Sequence, residues 1–124
     1  FLSPSLKAAV NFEYGRFNLD KEKCIGSLAE NYIASVIFKL SQTRFPAVGL
    51  FYPSDNKGSD FIIKTKVDER VAIEVGIGKK TKSQLSYTMN EYDCERGILI
   101  SNRYNRIKNH NNITYIPLMS FGFI

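Results

Sequence analysis

The apolar positions of this chain change rhythm twice. Between Ile25 and Leu40 they recur at steps of three and four, through Leu28, Tyr32, Ile33, Val36 and Ile37, which is the stripe of a helix laid on a core. Asp20 precedes the stripe as a cap, so a long helix is predicted over "KEKCIGSLAENYIASVIFKLSQ". A shorter helix is predicted upstream in "SPSLKAAVNFEYG". There Ser3 is an N-cap, Pro4 takes the first helical position, where its missing N–H costs nothing, and Gly15 closes the element.

The rhythm then shortens. "AVGLFY" (Ala47–Tyr52), "SDFIIK" (Ser59–Lys64) and "RVAIEV" (Arg70–Val75) read as strands, parted by "PSDNKG" and "TKVDE". The second connection is short enough to imply an antiparallel hairpin. A helix is expected over Thr81–Asp93, followed by a buried strand at "RGILIS" (Arg96–Ser101). The polar, basic stretch "NRYNRIKNHNN" reads as a loop, and a last strand "ITYI" (Ile113–Ile116) runs through Pro117 into an apolar tail. That tail is expected to pack on the domain or to dock on a missing part of a parent chain. The order of elements predicts an α/β fold with a mixed central sheet of four to five strands flanked by helices.

At 124 residues the chain is read as a single domain, 1–124. Its first residue is Phe, which suggests a piece of a longer protein. Two cysteines, Cys24 and Cys94, do not make a disulfide framework or a metal-ligand pair, and this favours a reduced, cytoplasmic setting. No run has the length of a membrane span, so no membrane partner is expected. The net charge of +5 favours acidic partners, nucleic acid first among them. No phosphate-binding Gly-x-x-x-x-Gly-Lys-Ser/Thr occurs, because "GIGKKTK" has the wrong glycine spacing, and no ATP site is expected in this stretch.

One residue disturbs the apolar run "AIEVGIGKK": Glu74. A buried carboxylate costs several kcal/mol unless it is paired, protonated or bound to a metal. The hairpin offers it a neighbour, since Asp60 at the start of one strand faces the end of the other. Two adjacent acids repel, and a shared proton or a divalent cation relieves them. Magnesium, held by one or two carboxylates and otherwise by water and substrate phosphate, suits the pair and points to phosphodiester hydrolysis. Glu30 is a third candidate ligand, four residues after Gly26 on the long helix. Each has a plain alternative: turn chemistry for Asp60, an exposed strand face for Glu74, a helix surface for Glu30.

These residues resemble a family. "GSLAENYIASVIFKL", "GSDFII" and "AIEVG", backed by a helix and "RGILIS", look like the restriction-endonuclease-like PD-(D/E)xK fold. More narrowly, they are similar to a domain of unknown function found C-terminal to the ATPase module of prokaryotic AAA-type ATPases. That resemblance implies a Gly-x-x-x-Glu-Asn helix, an acidic-Val-Asp-Phe strand and a Glu-Val-Lys strand end. Carried over, Glu30, Asp60 and Glu74 are the metal ligands, and Asp60 and Glu74 are catalytic acids. Two departures stand out: Gly58 and Ser59 precede Asp60, and Gly76 occupies the place of the lysine.

Such a lysine orients the attacking water and steadies transition-state charge. Lys64, which shares a strand face with Asp60, and Lys79 or Lys80 beyond the glycines are the candidate replacements. Lys79, Lys80, Lys82, Arg103, Arg106 and Lys108 are the candidate nucleic-acid contacts, against the alternative of ordinary solvated loops. His110 has no partner pattern. The resemblance implies an accessory C-terminal module of an ATPase with a degenerate site and little or no catalysis, with an upstream ATPase module as partner; DNA and a second copy are further candidate partners. An active magnesium-dependent nuclease and a pure interaction or dimerisation module are the competing readings.

Overall fold

In the computed structural model, which describes residues 4–13, 21–43, 49–65, 68–78 and 82–123, helices cover both faces of one mixed sheet. Helix α1 spans Pro4–Glu13 and α2 spans Lys21–Thr43. Three strands follow, β1 Gly49–Phe51, β2 Phe61–Lys64 and β3 Arg70–Gly76. Helix α3 (Ser83–Glu91) leads to β4 Arg96–Ser101, β5 Lys108–His110 and β6 Ile113–Pro117, and a 3-10 helix over Leu118–Phe123 follows. The caps expected at Ser3, Asp20 and Gly15 lie outside the described residues.

Among the described residues the sheet has six strands in the order β1-β2-β3-β4-β6-β5, which corrects the expected four to five. The added strand is β5, inside the stretch read as a loop. All three of its residues are exposed, so it has no apolar alternation to betray it. A turn makes it: Asn111 and Asn112 take φ values of 49° and 61°, a left-handed pair that asparagine tolerates and that suits a tight hairpin.

Strands β1, β2 and β3 form an antiparallel meander, and β3, β4 and β6 run parallel. Strand pleating divides the core into two clusters. On one face Ala29, Ile33 and Ile37 of α2 pack against Phe61, Ile73, Val75 and Ile100. On the other, Leu85 of α3 packs against Ile62, Ala72, Leu99, Cys94 and Ile113. The close approach of α3 depends on Gly97, where an added Cβ would lie 2.7 Å from Met89 Sδ and 3.0 Å from Leu85 Cδ2.

The apolar stripe of α2 is buried at its centre, but Ile25 at its start is 40% exposed. The apolar tail packs on the domain itself. Leu118 and Phe121 join the α2 cluster, and Tyr32 Oη donates to the carbonyl of Phe121 at 2.8 Å.

Candidate functional site

Register decides where the acids stand. Phe61 pairs with Ile73, so the residue before it, Asp60, falls opposite Glu74 at the end of the β2–β3 ladder. The carboxylate of Asp60 extends the ladder by one bond, as Val75 N–H donates to Asp60 Oδ2 at 2.7 Å. This clasp holds the first acid against the strand that carries the second.

Glu74 is completely buried. Alternation along β3 puts Ile73 and Val75 in the α2 cluster and Ala72 in the α3 cluster, so Glu74 points to the α3 side. Other buried polar side chains gather on that side. Thr88 is fully buried, and its Oγ1 accepts from Ser59 N–H at 2.6 Å. Ser101, buried on the face of Leu99, pairs in register with Gly76. The result is a cluster of buried polar side chains where β3 and β4 end, at the edge of an α/β sheet where ligands characteristically bind.

Glu30 comes from the opposite face. It is half-buried on α2, in a groove of about 360 Å³ that also includes Asn31, Phe38 and Phe61. The sheet therefore lies between the helix bearing Glu30 and the side to which Glu74 points. Lys64 shares a face with Asp60, as the pleat requires, but four residues of strand rise set it about 13 Å away. There it pairs with Asp68 Oδ1 at 2.8 Å. Lys79 and Lys80 lie outside the described residues.

Among the described residues, no group of three His, Cys, Asp or Glu side chains gathers as a metal site. Magnesium keeps several waters when bound by one or two carboxylates. Glu74 is closed off from bulk water in this arrangement, which disfavours a hydrated ion at the Asp60–Glu74 pair.

The described candidate nucleic-acid residues, Lys82, Arg103, Arg106 and Lys108, lie on the side where β3 and β4 end. Gly78 N–H donates to Asn102 Oδ1 at 3.1 Å, tying the loop after β3 to the loop after β4. Lys82 precedes α3 in the first loop, Arg103 and Arg106 lie in the second, and Lys108 opens β5; all four are exposed. Backbone joins Arg103 to the buried hydroxyl, since its N–H donates to Ser101 Oγ at 3.3 Å.

Neither cysteine forms a disulfide, and burial pushes the Cys94 thiol up from its ordinary value. No helix among the described residues is long and apolar enough to cross a membrane. Sequence reasoning missed Ser59, Thr88 and Ser101. Each is a small hydroxyl residue whose burial follows from the packing of α3, and nothing in local composition marks it.

Residues 25–121 match the family model described as a domain of unknown function, DUF4143. The chain is also 33% identical over 98 residues to an uncharacterized protein of Methanocaldococcus jannaschii, a match that covers 79% of this chain and 20% of that relative. The chain thus spans about a fifth of the length of that relative. No solved structure matches.

Proposed function

We propose, for a chain that belongs to the DUF4143 domain family, a role as an accessory module of restriction-endonuclease-like, PD-(D/E)xK type whose nuclease-like site no longer catalyses. The module is carried by a larger prokaryotic AAA-type ATPase, and it offers the basic edge around Lys82, Arg103, Arg106 and Lys108 to nucleic acid or to a partner surface of negative charge.

One observation carries this reading: Glu74, opposite Asp60, is sealed inside the core, and Gly76 stands where the resemblance requires a lysine. An acid closed off from solvent in this way is poorly placed to share a cation with substrate and water. Loss of one donor that steadies transition-state charge commonly lowers a rate about 10²–10³-fold. The archaeal relative supports the modular part, because the matched stretch is a small share of its length.

The test is cleavage of plasmid and single-stranded DNA with magnesium or manganese, comparing wild type, Asp60→Asn and Glu74→Gln. Folded wild-type protein is expected to leave both substrates intact. Metal-dependent cleavage that disappears in both variants would replace this reading with an active nuclease. Binding to duplex DNA is expected to weaken steeply with salt, with a slope that becomes shallower when Arg103, Arg106 and Lys108 are changed together to Gln. A slope unmoved by the triple change would remove this edge as the interface.

A further inference from the structure

The far end of the same hairpin holds a feature that the Asp60–Glu74 reading leaves unused. Lys64 and Arg70 are register partners on antiparallel strands, so their side chains leave the sheet side by side on one face. Like charges placed directly opposite one another are unfavourable, and an anion between them relieves the repulsion. Arg70 is held in place, because its Nη1 donates to the carbonyl of Tyr92 at 3.0 Å. Lys64 leans instead to Asp68, at 2.8 Å, on the turn of the hairpin. One highly exposed carboxylate thus serves as the resident anion, and Lys64 draws its pKa below the usual value.

Both cations line a pocket of about 340 Å³, within the size range of small-ligand sites. Its remaining surface is largely aromatic and apolar: Phe51, Tyr52, Tyr92 and Ile62. A glycine makes this shape. The ring of Phe51 lies over Gly49, where an added Cβ would come within 2.7 Å of Phe51 Cε2. Gly49 is also the register partner of Lys64, so the ring reaches along β1 toward the cationic end. Phe51 is 52% exposed, while Tyr52 closes the rim of the pocket and turns its ring to Phe61 of the α2 face, at 5.3 Å between ring centres.

An occupant must match both halves. The planar fork of an arginine beside a lysine suits phosphate, and open aromatic rings suit the flat face of a base. A bare inorganic anion leaves the aromatic surface unused, and an apolar molecule leaves the cations facing each other. We propose that this pocket binds a nucleotide unit, with its base between Phe51 and Tyr92 and its phosphate displacing Asp68 from Lys64 beside Arg70. The site is separate from the basic edge and from the acid pair, so its failure leaves the proposed function where it stands.

The experiment is an amide-resolved NMR titration of the full chain with three probes: thymidine monophosphate, a twelve-residue oligothymidylate and inorganic phosphate. Nucleotide probes are expected to shift the amides of Phe51, Tyr52 and Arg70. Affinity is expected to fall about tenfold in Lys64→Gln and in Phe51→Ala, both at exposed positions where folding is preserved. Asp68→Asn is expected to tighten binding about threefold, the modest gain of releasing an exposed ion pair. Asparagine also accepts the left-handed backbone at this position, where φ is 65°.

Equal binding of the mononucleotide would assign the ligand as a free nucleotide. Preference for the oligomer would assign it as single-stranded nucleic acid, and either supports the site. Phosphate binding as well as the nucleotides, affinity unmoved by both Lys64→Gln and Phe51→Ala, or no shift at these amides with either nucleotide would overturn it.

Discussion

A single hydroxyl shows how closely the polar core is matched. Thr88 Oγ1 accepts from Ser59 N–H at 2.6 Å with both residues buried, and an unmet donor in such a place is costly. Thr88→Val keeps the shape and removes the acceptor, so it is expected to lower stability by about 1–3 kcal/mol, read from the urea midpoint. An unchanged midpoint would mean that Ser59 finds another acceptor. The facing of Asp60 and Glu74 was legible from a two-residue period and a short connection, because a hairpin leaves few registers. The burial of Glu74 was not, since the strand pattern alone allows either face to be solvent. Glu74 lies on the α3 side of the sheet, and where α3 packs is set by residues remote in sequence. The exposure of Ile25 has a similar cause: a stripe records which positions are apolar, not where the sheet beneath the helix ends.

Elements succeed or fail here on their smallest residues. The packing of α3 on β4 leaves no room for a methyl at Gly97, which meets Met89 and Leu85 at once. Gly97→Ala is expected to cost about 1–3 kcal/mol through displacement of α3, measured by chemical denaturation. The β5–β6 hairpin depends on a different device, the left-handed pair Asn111–Asn112. Asn112→Val is expected to cost about 1–2 kcal/mol, while Asn112→Gly is tolerated; equal stability of the two would deny the backbone its role. Helix α2 and strands β3 and β4 were legible because burial imposes a period on them. Strand β5 carries no period, and its existence rests on turn chemistry that an asparagine-rich stretch shares with any loop.

The whole molecule is organised by one sheet with a cluster on each face. Phe61, Ile73, Val75 and Ile100 serve the α2 side while Ile62, Ala72 and Leu99 serve the α3 side, and they alternate along the same strands. Neither cluster has strands of its own, so one cooperative transition is expected, with backbone and aromatic circular dichroism melting together. A separate early transition in the aromatic signal would show that one face loosens alone. The alternation of inward residues was readable from sequence, but the assignment of each face to a helix required the sheet order.

The two rims of this sheet are unlike each other. Strand β5 presents only Lys108, Asn109 and His110, all exposed, so a strand arriving from another molecule would have to strip water from charge and amide for no apolar gain. The β1 rim carries Phe51 and Tyr52. Fibres grow by adding strands at both sides of every subunit. A molecule whose one rim resists addition is a poor link in such a chain, so the exposed, charged β5 disfavours edge-to-edge growth on its side of the sheet.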